Sequence, residues 1–152
     1  MAWPSLVATI VSRMSTDTPR HPIHVPRAQS LVHGDLTREI IGGFYEVYNT
    51  FGYGFLESVY PKALYLELTS RGLHVQREVP IDVYYKGQRV GKFRADMLVE
   101  YRVVIETKAS RWLVQADRDQ LLNCLRSSCL EVGLLLHFGP RPRFHRMVAR
   151  NA

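Results

Sequence analysis

The sequence is short of cysteine, of acidic residues and of long apolar runs, and each shortage narrows what the chain can be. Its two cysteines, Cys124 and Cys129, stand five residues apart with no histidine at zinc-ligand spacing. That excludes a disulfide framework and a zinc site, and a reducing cytoplasm is the compartment that fits. The opening MAWPSLVATIVSRM holds a short apolar run with no basic stretch before it and no small-residue cleavage site after it. A signal peptide is not expected, and the run is too short to span a bilayer, so no membrane partner is expected either. Met1 and Met14 are both candidate starts. Acids number 14 against 20 Lys and Arg, and the resulting charge of +6 is spread along the chain. Such an excess favours a polyanionic partner. There is no internal repeat and no low-complexity segment.

What remains is enough for one domain: 152 residues, 46% of them apolar. Residues 15–34 carry three prolines and little periodicity, so residues 1–34 read as a flexible leader and 35–152 as the folded domain. From Asp35, a plausible cap, Leu36, Ile40, Phe44, Val47 and Phe51 recur at helical steps. A second helix is expected over about Ser58 to Arg71, ending at Gly72, with its first turn near Glu57 to Tyr60, because Pro61 is tolerated only where backbone N–H groups have no helical partner. Three strands should follow, about 74–85, 88–99 and 103–108, with YKGQ and EYR as their turns. A third helix over about 115–127 has Asp117 and Asp119 in its first turn and Arg126 in its last, as the helix dipole prefers, with Leu121, Leu122 and Leu125 facing the core. EVGLLLHF reads as a strand covered on both faces, and GPRP ends it. Strand, crossover helix and strand would form a right-handed βαβ unit.

Charges interrupt this pattern in FRADMLVEYRVVIETKAS. Glu106 and Lys108 share one face of their strand and Thr107 takes the other. If 100–102 form a three-residue loop, Asp96 lies opposite Glu106 and Arg94 opposite Lys108. Opposed carboxylates repel, and at that separation two of them can share one cation. The competing reading is a solvated hairpin face on which Arg94 and Lys108 neutralise the acids. Val103, Val104 and Ile105 favour the first, because they place the charges at the end of a core strand.

Asp96 followed about ten residues on by Glu106-x-Lys108 resembles the signature of the PD-(D/E)XK nuclease superfamily, with Ala95 where the name has proline. GFLESVY, Gly54 to Tyr60, resembles the motif of its GxxExxY family, and VVIETKA, DQLLNCL and EVGLLLHFGP follow in that family's order. Thr107, Pro61 and Cys124 depart from its usual residues. The resemblance implies an α/β fold, a restriction-endonuclease-like αβββαβ core with helices flanking a mixed sheet. It also implies a divalent metal, Mg²⁺ or Mn²⁺, and hydrolysis of phosphodiester bonds, with DNA favoured over RNA.

In this reading Asp96 and Glu106 hold the metal with the carbonyl of Thr107, and Lys108 orients or deprotonates the attacking water. Glu57 would hold a water or a second metal, or else serve only the helix dipole, and Gln120 faces the site from the third helix with an amide for phosphate or Glu106. Tyr60 is either a hydrogen-bonding residue of the site or a core aromatic. Arg94, Arg141, Arg143 and Arg146 would meet phosphates, although a solvated basic tail explains the last three equally well. His137 and His145 lack metal-ligand spacing and read as structural. A non-catalytic nucleic-acid-binding or protein-interaction module on the same fold stays open, as does the oligomeric state, a homodimer included.

Overall fold

Residue 32 to residue 150 are described by the computed structural model. The leader reading of residues 1–34 therefore lies outside the described residues except at its last three positions. Helix α1, Gly34–Phe51, buries Ile40, Phe44 and Val47 together with Thr37 and Gly43. Its start differs from the expected cap: His33 (φ 55°) precedes the helix with no side-chain bond, and Asp35 lies in the first turn, where its charge meets the positive end of the dipole. Helix α2, Val59–Ser70, holds Pro61 in its first turn, where no helical carbonyl waits for the missing N–H. The two helices approach closely at Gly43, where a Cβ would come within 2.7 Å of Leu68 Cδ2.

Five strands follow, β1 Val75–Tyr85, β2 Gln88–Val99, β3 Val103–Lys108, β4 Val132–Phe138 and β5 Pro142–Val148, with helix α3, Gln115–Ser127, between β3 and β4. The sheet order is β1-β2-β3-β4-β5. Only the β3–β4 pair is parallel, as a crossover helix requires. Lys86 (φ 49°) and Gly87 (φ 78°) supply the two positive dihedrals of the tight turn that joins β1 to β2. Every residue of β4 is buried, because helices cover both faces of the sheet. On one face Phe138 packs against Phe44 of α1 (ring centroids 4.7 Å) and stacks on Tyr60 of α2 (4.4 Å). On the other, Leu121, Cys124 and Leu125 of α3 join Leu98, Val104, Leu135 and Ile81 in one apolar cluster.

The basic tail expected after β4 is a strand instead. β5 pairs antiparallel with β4 from Phe138↔Pro142 to Val132↔Val148. Its alternation sends Arg143 and His145 to one face and Phe144 and Arg146 to the other, so the arginines do not form one patch. Arg146 is half-buried and donates to the Val32 carbonyl, and burial lowers its pKa. The Arg146 guanidinium thus has a partner within the chain, on the face away from Arg143. Among the described residues no helix is long and apolar enough to cross a membrane.

Candidate functional site

The three-residue loop over 100–102 forms as its spacing suggests, and the β2–β3 ladder pairs Val99↔Val103, Leu98↔Val104 and Met97↔Ile105. There it ends, while β1 and β2 stay paired on to Tyr85↔Gln88. Carboxylates occupy the place of the next rungs. The Asp96 N–H donates to Glu106 Oε1 (3.1 Å), and the N–H and hydroxyl of Thr107 both donate to Asp96 Oδ2 (2.7 and 2.8 Å). Each acid thus accepts a bond from the other's strand, which offsets part of the repulsion that direct opposition would cause. The expected opposition of Arg94 and Lys108 does not form. Arg94 pairs with Glu78 (3.0 Å), and Lys108 Nζ lies 3.6 Å from Asp117 Oδ1.

Glu106 is the electrostatic centre of this arrangement. Burial, and after it the charge of Asp96, push its carboxyl from 4.5 up to about 8, against the opposing pull of the Asp96 N–H and of Lys108. Glu57 adds to the upward push, so its carboxylate is within electrostatic reach. Cys124, beneath on α3, is raised to about 12 by burial and by the charge of Glu106. Both thiols are free, Cys124 buried and Cys129 exposed.

Asp117 does more than serve the helix dipole. Its Oδ2 accepts the Val114 N–H (3.1 Å) and so fixes the start of α3, while Oδ1 holds Lys108 beside the acids. Sequence reading missed this pairing, although an aspartate opening the helix that follows the Lys108 strand was the available signal. His137, in register with Lys108 on β4, bonds the Ser110 carbonyl through Nε2 and braces the loop between β3 and α3. Burial lowers the pKa of His137, and burial followed by Arg118, His137 and Arg143 lowers His145 to about 4. Both imidazoles are neutral near pH 7, so neither adds positive charge to the site.

Glu57 stands not in the first turn of α2 but in the turn ahead of it. Gly54, at φ 115°, takes a backbone conformation closed to most side chains. Tyr60 is fully buried, donates to the Gly52 carbonyl (2.8 Å) and accepts the Phe55 N–H (3.2 Å). Its hydroxyl latches the loop that carries Glu57 instead of reaching across the site. Tyr60→Phe should leave two backbone groups short of a partner and cost about 1–3 kcal/mol in chemical denaturation. Faster amide exchange over 54–58 than elsewhere would accompany it, and uniform exchange would count against the latch.

A model of the PD-(D/E)XK nuclease superfamily matches residues 34–150, a span that contains the split ladder, both acids, Lys108 and the Tyr60 latch. The chain belongs to that superfamily. The crystal structure of SSO0001 is similar over 100% of this chain and 80% of that one, with a TM-score of 0.52 and 16% identity, a likeness of fold. No curated protein matches.

PD-(D/E)XK nucleases use divalent metals, and the donors here suit a hard cation. Asp96 and Glu106 offer carboxylate oxygens in a buried setting short of positive charge. Among the described residues no group of three or more His, Cys, Asp or Glu could hold an ion. Two carboxylates suit a hard divalent cation that keeps part of its hydration shell better than one that needs an all-protein cage.

The remaining superfamily-type positions differ in placement. Gln120 is exposed on α3, one turn after Asp117 and one before Cys124, both of which sense site residues. It therefore lies on the helix stripe that borders the acids. Arg141 and Arg143 are exposed, and Arg143 is in register with His137 and through it with Lys108. Arg94 is exposed and shares its charge with Glu78.

Proposed function

We propose that the chain is a metal-dependent nuclease of the GxxExxY type that hydrolyses phosphodiester bonds in nucleic acid, with DNA as the favoured substrate. One observation carries this reading: two acids replace the rungs of a sheet ladder, and Glu106 is driven to about 8 where one more positive charge would relieve it. Asp96, Glu106 and the carbonyl of Thr107 would hold Mg²⁺ or Mn²⁺, which supplies charge to offset that developing on the phosphate. Lys108, held by Asp117, orients a water for in-line attack, and the proton of that water passes to solvent. Glu57 holds a further water or a second metal, and Gln120 bonds a non-bridging phosphate oxygen. Two reduced thiols are in keeping with a cytoplasmic setting.

Cleavage of labelled DNA and RNA, with and without Mg²⁺, tests the activity directly. Exposed Arg141, Arg143 and Arg94 would bind phosphates, so affinity for any sequence should fall about ten-fold or more between low and moderate salt. Filter binding across a salt series checks this, and a flat profile rules out a phosphate-dominated interface. A non-catalytic binding module is favoured by one detail, the engagement of Lys108 by Asp117. That reading expects salt-dependent binding with no cleavage in any metal.

A further inference from the structure

Two exposed apolar tips stand on the loops next to site residues, one immediately before Glu57 and one shortly after Lys108. The first is Phe55–Leu56, 49% and 77% exposed, on the Tyr60-latched loop immediately before Glu57. The second is Trp112, 72% exposed, on the loop between Lys108 and α3. Neither display follows from a slack loop. Ser110 donates to the Trp112 carbonyl (2.7 Å) and its own carbonyl meets His137, while the neighbouring Leu113 packs into the α3 cluster. The chain is therefore pinned on both sides of an indole that points to solvent. The Arg111 guanidinium lies 5.4 Å from the ring centroid, which adds positive charge where the aromatic surface is offered.

We infer that these tips bind unpaired nucleobases, so that the substrate is a single-stranded or frayed segment and not continuous duplex. A large aromatic beside arginine, at the rim of a phosphodiester-cleaving site, matches what a polyanion with exposed ring faces needs: cations for the phosphates and a flat apolar surface for the bases. Bases inside a duplex are stacked on each other and present no free face to Trp112, and phosphate contacts alone do not distinguish the two forms. This inference rests on the nuclease reading and adds the strandedness of its substrate.

The test is fluorescence anisotropy of the full chain in Mg²⁺-free buffer with a labelled thymidine oligomer, the same strand annealed to its complement, and the corresponding uridine oligomer. Trp112→Ala should weaken single-strand binding about ten-fold or more while duplex binding changes less than about two-fold, and Trp112→Phe should recover most of the loss. The thymidine and uridine arms show whether the unpaired bases belong to DNA, RNA or both. Equal losses on single strand and duplex, or no loss on either, would overturn the stacking role. If the wild-type chain binds none of the three, the stacking inference falls, while the nuclease reading is decided separately by the cleavage assay with Mg²⁺.

Discussion

Asp96→Asn should abolish Mg²⁺ binding and cleavage while making the metal-free protein more stable at alkaline pH. Asparagine keeps an oxygen for the two Thr107 donors, so the local geometry survives and only the charge is lost. Glu106 decides the pH dependence. Its folded pKa is raised from 4.5 to about 8, so the folded chain keeps a proton that the unfolded chain releases. The stability this contributes is fully present below 4.5 and is lost as pH rises through about 8. Removing the Asp96 charge lowers the folded pKa and reduces that loss. The variant should therefore gain about 1 kcal/mol, or about 3 °C in melting midpoint, near pH 9, with the gain fading in acid. Mg²⁺ should raise the wild-type midpoint and leave that of the variant unmoved, because the cation competes with the Glu106 proton and needs both acids. An Asn variant that Mg²⁺ stabilises as much as wild type would remove Asp96 from the metal site.

Lys108→Met should lower turnover by about 10²- to 10⁴-fold, with Mg²⁺ still bound. The lysine contributes to the acids only through charge, as one of the influences that lower Glu106. Its loss leaves Glu106 holding its proton to a higher pH, so the apparent Mg²⁺ affinity should fall a few-fold near neutrality and recover as pH is raised. Asp117 keeps its bond to the Val114 N–H, but a largely shielded ion pair, its side chains 28% and 16% exposed, is lost at a cost of about 1–3 kcal/mol. Calorimetric Mg²⁺ titration at two pH values, beside single-turnover cleavage, separates these effects. Turnover that recovers fully at high pH along with metal affinity would mean that Lys108 acts on Glu106 and not on the water.

The elements legible in the sequence are those set by local chemistry. Period-two runs bounded by Lys86-Gly87 and by the 100–102 loop mark β1, β2 and β3, and the loop length alone fixes which residues of β2 and β3 pair. The acids were visible as opposed charges, but their exchange of bonds with backbone N–H groups was not, because it depends on β2 leaving β3 after Met97. The hairpin beyond that point also packs far along the chain, with Ile81, Val79 and Phe93 in one apolar cluster with Leu121 and Leu125 of α3, which no local pattern shows. Asp117 was read by its helix position alone, which conceals a partner on another element. β5 was hidden by its arginines. The alternation of Phe144, Arg146 and Val148 was its signal, and the half-buried Arg146 guanidinium is a placement that charge density argues against.

The edge that β5 covers has a consequence for how the chain behaves during synthesis. Until Pro142–Val148 has emerged and paired, β4 presents one open side of VGLLLHF, seven residues with no formal charge at neutral pH. Such a segment is a template for strand addition by another nascent chain. β5 is thus a gatekeeper for the strand before it, and as the edge strand in its place it carries Arg143 exposed where two chains would otherwise adhere.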